Sequence, residues 1–123
     1  MNINLNFKPQ FAPDVKACKK RQSIRPRGKR RANRGEILHL FTGLRTKHCE
    51  RLGDHRCRDT FDIDIDTAAS SIVLVGSDWR DALKPHQVET IARMDGFGNV
   101  ADFFAFFRKQ YGEGVHPMIL YRW

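Results

Sequence analysis

No aspartate or glutamate occurs between Lys16 and Arg34, a stretch that holds ten lysines and arginines. The whole chain has 22 basic and 14 acidic residues, a net charge of +8. Outside this stretch 12 basic and 14 acidic residues remain, a net of −2. The positive charge is therefore local. A concentrated positive field on a slightly acidic body points to a polyanion partner, most simply a nucleic acid. Long apolar runs are also missing. None approaches a membrane span, and the opening MNINLNFKPQF has no charged segment leading into an apolar one, so a soluble, cytoplasmic protein with no membrane partner is expected. Cysteine is sparse. Cys18, Cys49 and Cys57 are an odd number without the spacing of a disulfide framework, which fits a reducing compartment. There is no internal repeat and no long linker. The 123 residues are expected to form a single domain, 1–123, and a 41% hydrophobic composition with nine phenylalanines suffices for a core.

Residues 3–7 alternate, with Ile3, Leu5 and Phe7 on one face and Asn4 and Asn6 on the other, which predicts a short strand. Pro13-Asp14 opens one or two helical turns through Cys18. Pro26 to Gly35, with Pro, two Gly and Asn, reads as a basic loop. Ile37 to Thr42 is apolar on both faces, as in a central strand, and Gly43 ends it. In 60–66 the pattern places Phe61, Ile63 and Ile65 on a core and Asp62, Asp64 and Asp66 toward water. Ile72 to Val75 is a short buried strand. A helix starts at Pro85, carries Val88, Ile91 and Ala92 on one face and stops near Gly96. Asn99 and Asp102 have cap spacing for another helix, whose core face is Val100, Phe103, Phe104 and Phe107 and which Gly112 ends. Phe106 falls off that face. Met118 to Trp123 reads as a last strand. Strands early and helices late predict an α+β domain with a largely antiparallel sheet.

The basic run offers the first candidate site. Planar guanidinium groups suit bidentate phosphate contacts and stacking on bases. The run is one-signed and flanked by Gly and Pro, which favours anion binding over a solvated loop for Lys19, Arg21, Arg25, Arg27, Lys29, Arg30, Arg31 and Arg34. Arg45 and Lys47 follow a strand and a glycine. They widen a positive cleft if they lie near the run, and are otherwise a polar turn. His48, Cys49, His55 and Cys57 lack a Cys-x-x-Cys pair, and the adjacency of His48 and Cys49 suits one metal poorly. Core thiols and surface histidines are expected there instead. The three aspartates of 62–66 lack the glycine and distal glutamate of a calcium loop. Trp79 and Trp123 are candidates either to stack on a base or to fill core or lid positions.

Lys20-Arg21-Gln22-Ser23-Ile24-Arg25 resembles the Lys-x-x-Thr-Ile-Arg element of the ASCH domain family, which is related to the RNA-binding PUA fold. Gly35-Glu36-Ile37-Leu38-His39-Leu40 is similar to the Gly-Asp strand that follows it in the family. Thr42 to Cys49 is similar to a run in longer members. Met94-Asp95-Gly96-Phe97, Val100 to Phe104 and a closing apolar strand complete the likeness. The resemblance implies a small PUA-like β-barrel with flanking helices and a cleft beside the Lys-x-x-Thr element. Some small ASCH proteins are amidohydrolases that remove the acetyl group of N4-acetylcytidine, and others are nucleic-acid-binding modules or ribonucleases. The amidohydrolase Lys, Thr and Glu correspond to Lys20, Ser23 and Asp95. Serine keeps the hydroxyl, aspartate shortens the carboxylate arm, and Cys18 stands where the family has glycine.

A serine hydroxyl needs a proton acceptor before it attacks. Lysine serves only if its pKa falls far below about 10.4, through burial or neighbouring positive charge. Otherwise Lys20 is a phosphate-contacting lysine and Ser23 a capping hydroxyl. The leading expectation is an ASCH-type protein that binds RNA or a nucleotide-type ligand in a basic cleft, without a cofactor or metal. The alternatives are an amidohydrolase acting on an acylated nucleoside, a metal-assisted ribonuclease, and a module whose basic loop docks on an acidic protein.

Overall fold

The computed structural model describes all 123 residues and has an α+β fold with two sheets and three helices. One sheet has the order β1 (Ile3–Phe7), β3 (Ile37–Thr42), β4 (Glu50–Arg56). The other has the order β2 (Gln22–Pro26), β8 (Val115–Arg122), β5 (Asp59–Asp66), β6 (Ser71–Val75), β7 (Arg80–Ala82). The helices are α1 (Ala12–Lys16), α2 (Pro85–Met94) and α3 (Val100–Tyr111). The β3–β4, β5–β6 and β6–β7 pairs are antiparallel, whereas β1 runs parallel to β3. No closed barrel is found: both strand orders are open, and β7 is a three-residue edge strand exposed throughout. No helix is long and apolar enough to cross a membrane.

The chain divides into two compact units, one of Met1–Gln22, Gly28–Thr60 and Tyr121–Trp123, the other of Ser23–Arg27 and Phe61–Leu120. In the first, β1 buries Ile3, Leu5 and Phe7 while Asn4 and Asn6 stay exposed. Asn2 and Asn6 Oδ1 accept the N–H groups of Ile37 and Leu44, which brackets β3 at both ends. The central position of β3 explains its apolar character. Leu38 and Leu40 are fully buried, and the other residues of the strand are half-buried. Its pairing with β4 shifts register between Leu40 and Phe41, leaving Leu52 as the extra residue of a bulge. Gly43 ends β3 in the left-handed region at φ 62°, where a Cβ would lie 2.8 Å from the His48 carbonyl oxygen.

The second unit holds the phenylalanine core. Phe103, Phe104 and Phe107 of α3 pack with Ile63, Ile65, Ile72, Ile91 and Leu120, and Phe103 meets Phe97, Phe104 and Phe107 ring to ring. Asn99 caps α3, its Oδ1 accepting the Asp102 N–H at 2.8 Å. α2 begins at Pro85 and closes through Gly96 at φ 100°, with the Phe97 N–H returning to the Ala92 carbonyl. Phe106 is half-buried against Phe97 and Phe107.

The aspartates of β5 correct the expectation of a solvated strand face. Asp64 is buried and paired with Arg80 and Arg27, and Asp62 lies 3.9 Å from Arg27 Nε. Asp66 Oδ1 accepts the N–H groups of Ala68 and Ala69 and so shapes the turn into β6. Phe61, expected in the core, is 37% exposed. Alternation assigns sides of a strand, but it does not say which side is covered. Here both sides of β5 carry buried residues, and ion pairing makes that tolerable for a carboxylate.

Candidate nucleic-acid interface

The segment between β2 and β3 has no regular secondary structure, yet it is tied down. The Gly35 N–H donates to the Cys57 carbonyl, the Cys57 N–H returns to Glu36, and Ala32 is fully buried. This anchors the basic loop by its C-terminal end and leaves Lys29, Arg30 and Arg34 exposed, with Arg31 half-buried. Lys19 and Arg21 are exposed before β2. Arg45 and Lys47 are exposed on the turn after β3, which Thr46 Oγ1 closes by donating to the Gly43 carbonyl.

A cavity of about 420 Å³ in the first unit is lined by Arg21, Arg34, Arg56 and Arg58 together with His55 and Trp123, and by no Asp or Glu side chain. Two of its guanidinium groups are held by main-chain oxygens: Arg21 Nε donates to Trp123 at 2.9 Å and Arg56 Nη1 to Gly35 at 2.8 Å. Each spends one of five donors and keeps the rest for another acceptor. Trp123 is buried between Phe7, whose ring meets it edge-on at 6.1 Å, and His55, whose ring is tilted 32° to it at 6.4 Å. Burial, and then the Arg21 charge, hold His55 below the usual histidine pKa. The neutral imidazole is thus part of the resting wall.

Of the residues expected to bind an anion, Arg21 and Arg34 meet in this cavity. Arg45 and Lys47 do not line it. Arg56 and Arg58 join it from outside the expected set, and His55, expected as a surface histidine, is half-buried in its wall. Their signal is the alternation His55, Arg56, Cys57, Arg58 around one fully buried cysteine. Arg27 and Arg25 are engaged inside the second unit. Arg27 Nη2 donates to the Ile63 carbonyl at 2.9 Å, with Asp64 and the Met118 carbonyl each at 3.3 Å. Arg25 Nε donates to Ser23 Oγ at 2.7 Å. Lys16, inside the acid-free stretch, is paired with Glu50 at 2.6 Å.

Lys20, Ser23 and Asp95 are all buried. A left-handed turn at Cys18, φ 59°, lets the Lys19 and Lys20 N–H groups both donate to the Asp14 carbonyl, which directs the chain into β2. Lys20 Nζ donates to the Gln22 carbonyl at 2.7 Å and lies 5.9 Å and 5.3 Å from the ring centres of Phe7 and Phe11. Ser23 Oγ accepts the Arg25 hydrogen bond, which favours negative charge developing on that oxygen. Asp95 follows the last residue of α2, its N–H donating to Ile91. Tyr111 senses both groups. Its pKa is raised, first by burial, with Arg25 acting to lower it and Asp95 to raise it. Arg25, which bonds to Ser23, and Asp95 therefore both lie within electrostatic range of Tyr111.

Cys49 is exposed, contrary to the expected core thiol, while Cys57 is buried and its thiol pKa is pushed up by that burial. No three His, Cys, Asp or Glu side chains are grouped to hold a metal ion. No family model matches the chain, and neither a curated protein nor a solved structure matches it.

Proposed function

We propose that this is an ASCH-type, PUA-like protein that binds RNA or a nucleotide-type ligand in a basic cleft. The arginine-lined cavity carries the reading: four guanidinium groups around a tryptophan, with no acidic side chain in the wall. Guanidinium forks match phosphate oxygens, and aromatic faces suit sugar or base. The exposed Lys29, Arg30 and Arg34 of the neighbouring loop extend the positive surface by the phosphate-tracking chemistry of single-strand binders. The test is affinity for single-stranded RNA as a function of salt. The slope of log affinity against log salt should be about −0.7 per phosphate contacted, and replacing Arg30 and Arg31 by alanine should flatten it. Unchanged affinity and slope in that variant would leave the loop a solvated feature.

A second reading, an amidohydrolase acting on N4-acetylcytidine or a related acylated nucleoside, is favoured by the burial of Lys20, Ser23 and Asp95 and by the Arg25–Ser23 hydrogen bond. In it Ser23 Oγ attacks the acyl carbon and Lys20, when neutral, takes the hydroxyl proton and passes it to the cytidine N4 as the C–N bond breaks, leaving an acetyl ester on Ser23. Arg25 stabilises the oxyanion, and Asp95 aids the water that releases acetate. Incubation with N4-acetylcytidine should release cytidine and acetate, and Ser23→Ala should abolish release while the protein stays folded. Undiminished release from Ser23→Ala would exclude this mechanism.

A further inference from the structure

The cavity has more positive charge than an internal phosphodiester needs. Of its four arginines, only Arg58 meets a carboxylate, Asp59, at 3.3 Å. Arg56 is oriented by a main-chain carbonyl that leaves its charge in place, and Arg21 Nε donates to a main-chain oxygen of Trp123, the last residue of the sequence. Arg34 has no partner. Two guanidinium groups without a counter-charge, Arg34 and Arg56, together with the remaining N–H donors of Arg21, match an anion of nearly two charges with three acceptor oxygens. A phosphate monoester has this character near neutral pH, whereas a phosphodiester carries one charge. The volume agrees. About 420 Å³ is the lower part of the range for small-ligand sites and suits a single nucleotide better than a length of strand.

A second observation comes from the wall. Trp123 is 3% exposed, and its indole Nε1 is buried with no hydrogen-bond partner. Native buried donors are nearly always paired, and this one, on a residue of the cavity wall, finds no acceptor within the chain. The half-buried His55 ring, packed beside Trp123, offers a surface for the sugar or base that carries the phosphate.

We propose that the cavity is a phosphate-monoester site, taking the phosphorylated end of an RNA strand or a free mononucleotide, with Arg21, Arg34 and Arg56 on the phosphate and the Trp123–His55 wall against the nucleoside. This rests on the basic-cleft reading above and narrows it. Internal phosphates are left to the loop, and the terminal phosphate is selected by the cavity.

The experiment uses the full chain and one eight-nucleotide single-stranded RNA prepared in three forms: 5′-phosphate, 3′-phosphate and both ends hydroxyl. Affinity is read by fluorescence anisotropy at fixed salt, with cytidine monophosphate and cytidine compared by calorimetry. One phosphorylated form should bind at least tenfold tighter than the hydroxyl form. Arg34→Gln, at an exposed residue without structural partners, should reduce that preference to below threefold. Trp123→Phe, which keeps a ring but removes the N–H, should weaken the phosphorylated ligand severalfold, with circular dichroism checking its fold. Cytidine monophosphate binding as tightly as the strand would identify the free nucleotide as the source, and a strand far tighter than the nucleotide would identify the strand end. Equal binding of all three RNAs, with the nucleotide no better than the nucleoside, overturns the phosphate-monoester site while salt-dependent RNA binding leaves the basic-cleft reading intact. No binding of any RNA or nucleotide overturns both.

Discussion

Arg27→Ala separates two roles that look alike in a basic run. If Arg27 is a phosphate contact, removing it weakens RNA binding and leaves the fold alone. The structure gives it a different task. Its Nη2 serves the carbonyls of Ile63 and Met118 and the Asp64 carboxylate, and its Nε lies 3.9 Å from Asp62 Oδ1. Truncation deletes these contacts and leaves Asp64 buried with Arg80 alone. Breaking a fully buried pair costs about 3–5 kcal/mol. The Arg27 side chain is 28% exposed and Arg80 survives as a partner, so a loss of about 2–3 kcal/mol is expected here. For a chain of this length 1 kcal/mol corresponds to about 4 °C in Tm, which puts the drop at about 8–12 °C. Thermal melts followed by circular dichroism read it directly, with Arg30→Ala as the exposed control expected within about 0.5 kcal/mol of the parent. A double-mutant cycle with Asp64→Asn should give a coupling of at least about 1 kcal/mol. A Tm for Arg27→Ala within 2 °C of the parent, or additive effects in the cycle, would refute the architectural role (roughly 0.5 kcal/mol is the additivity limit).

His55 is held below its unfolded pKa, so the unfolded chain takes up the proton first. The stabilisation is full above about pH 6.5 and is lost as pH falls through the lower folded value. His55→Gln should flatten the decline of stability between pH 7 and 5 in denaturant titrations, and an unchanged decline would place its origin elsewhere. Asn99→Ala removes the cap of α3 and should cost about 1 kcal/mol, measured as a shift in urea midpoint at constant slope. Phe103→Ala opens the ring cluster where Phe97, Phe104 and Phe107 meet it and should cost about 3–5 kcal/mol; a loss under 1 kcal/mol would mean the α3 core collapses around the gap.

The sequence by itself determined the elements with local causes. β1 follows from the alternation of Ile3, Leu5 and Phe7, and α3 from its Asn99 cap, its phenylalanine stripe and the Gly112 stop. The acid-free run is also local, since composition alone separates it from the rest of the chain. Three strands escaped notice, among them β7, a three-residue edge that is exposed throughout. β2 lies inside the very motif that drew attention for its chemistry, and β4 reads Glu-Arg-Leu-Gly-Asp-His-Arg, with a bulge and a glycine breaking its period. What only the tertiary structure decided is which charges are free. Arg27 and Arg34 are equivalent letters in one basic run, yet one is bonded inward to Asp64 and two carbonyls while the other stands at an open cavity. Asp62, Asp64 and Asp66 share one alternation but do three different things. Arg21 and Arg34 meet Arg56 and Arg58 only because Gly35 and Glu36 exchange hydrogen bonds with Cys57 and because Trp123 bonds to Arg21 across a hundred residues of chain. Charge is a property of composition. Its availability depends on which acceptors the fold brings within hydrogen-bond distance, and those contacts are long-range, so no local pattern encodes them.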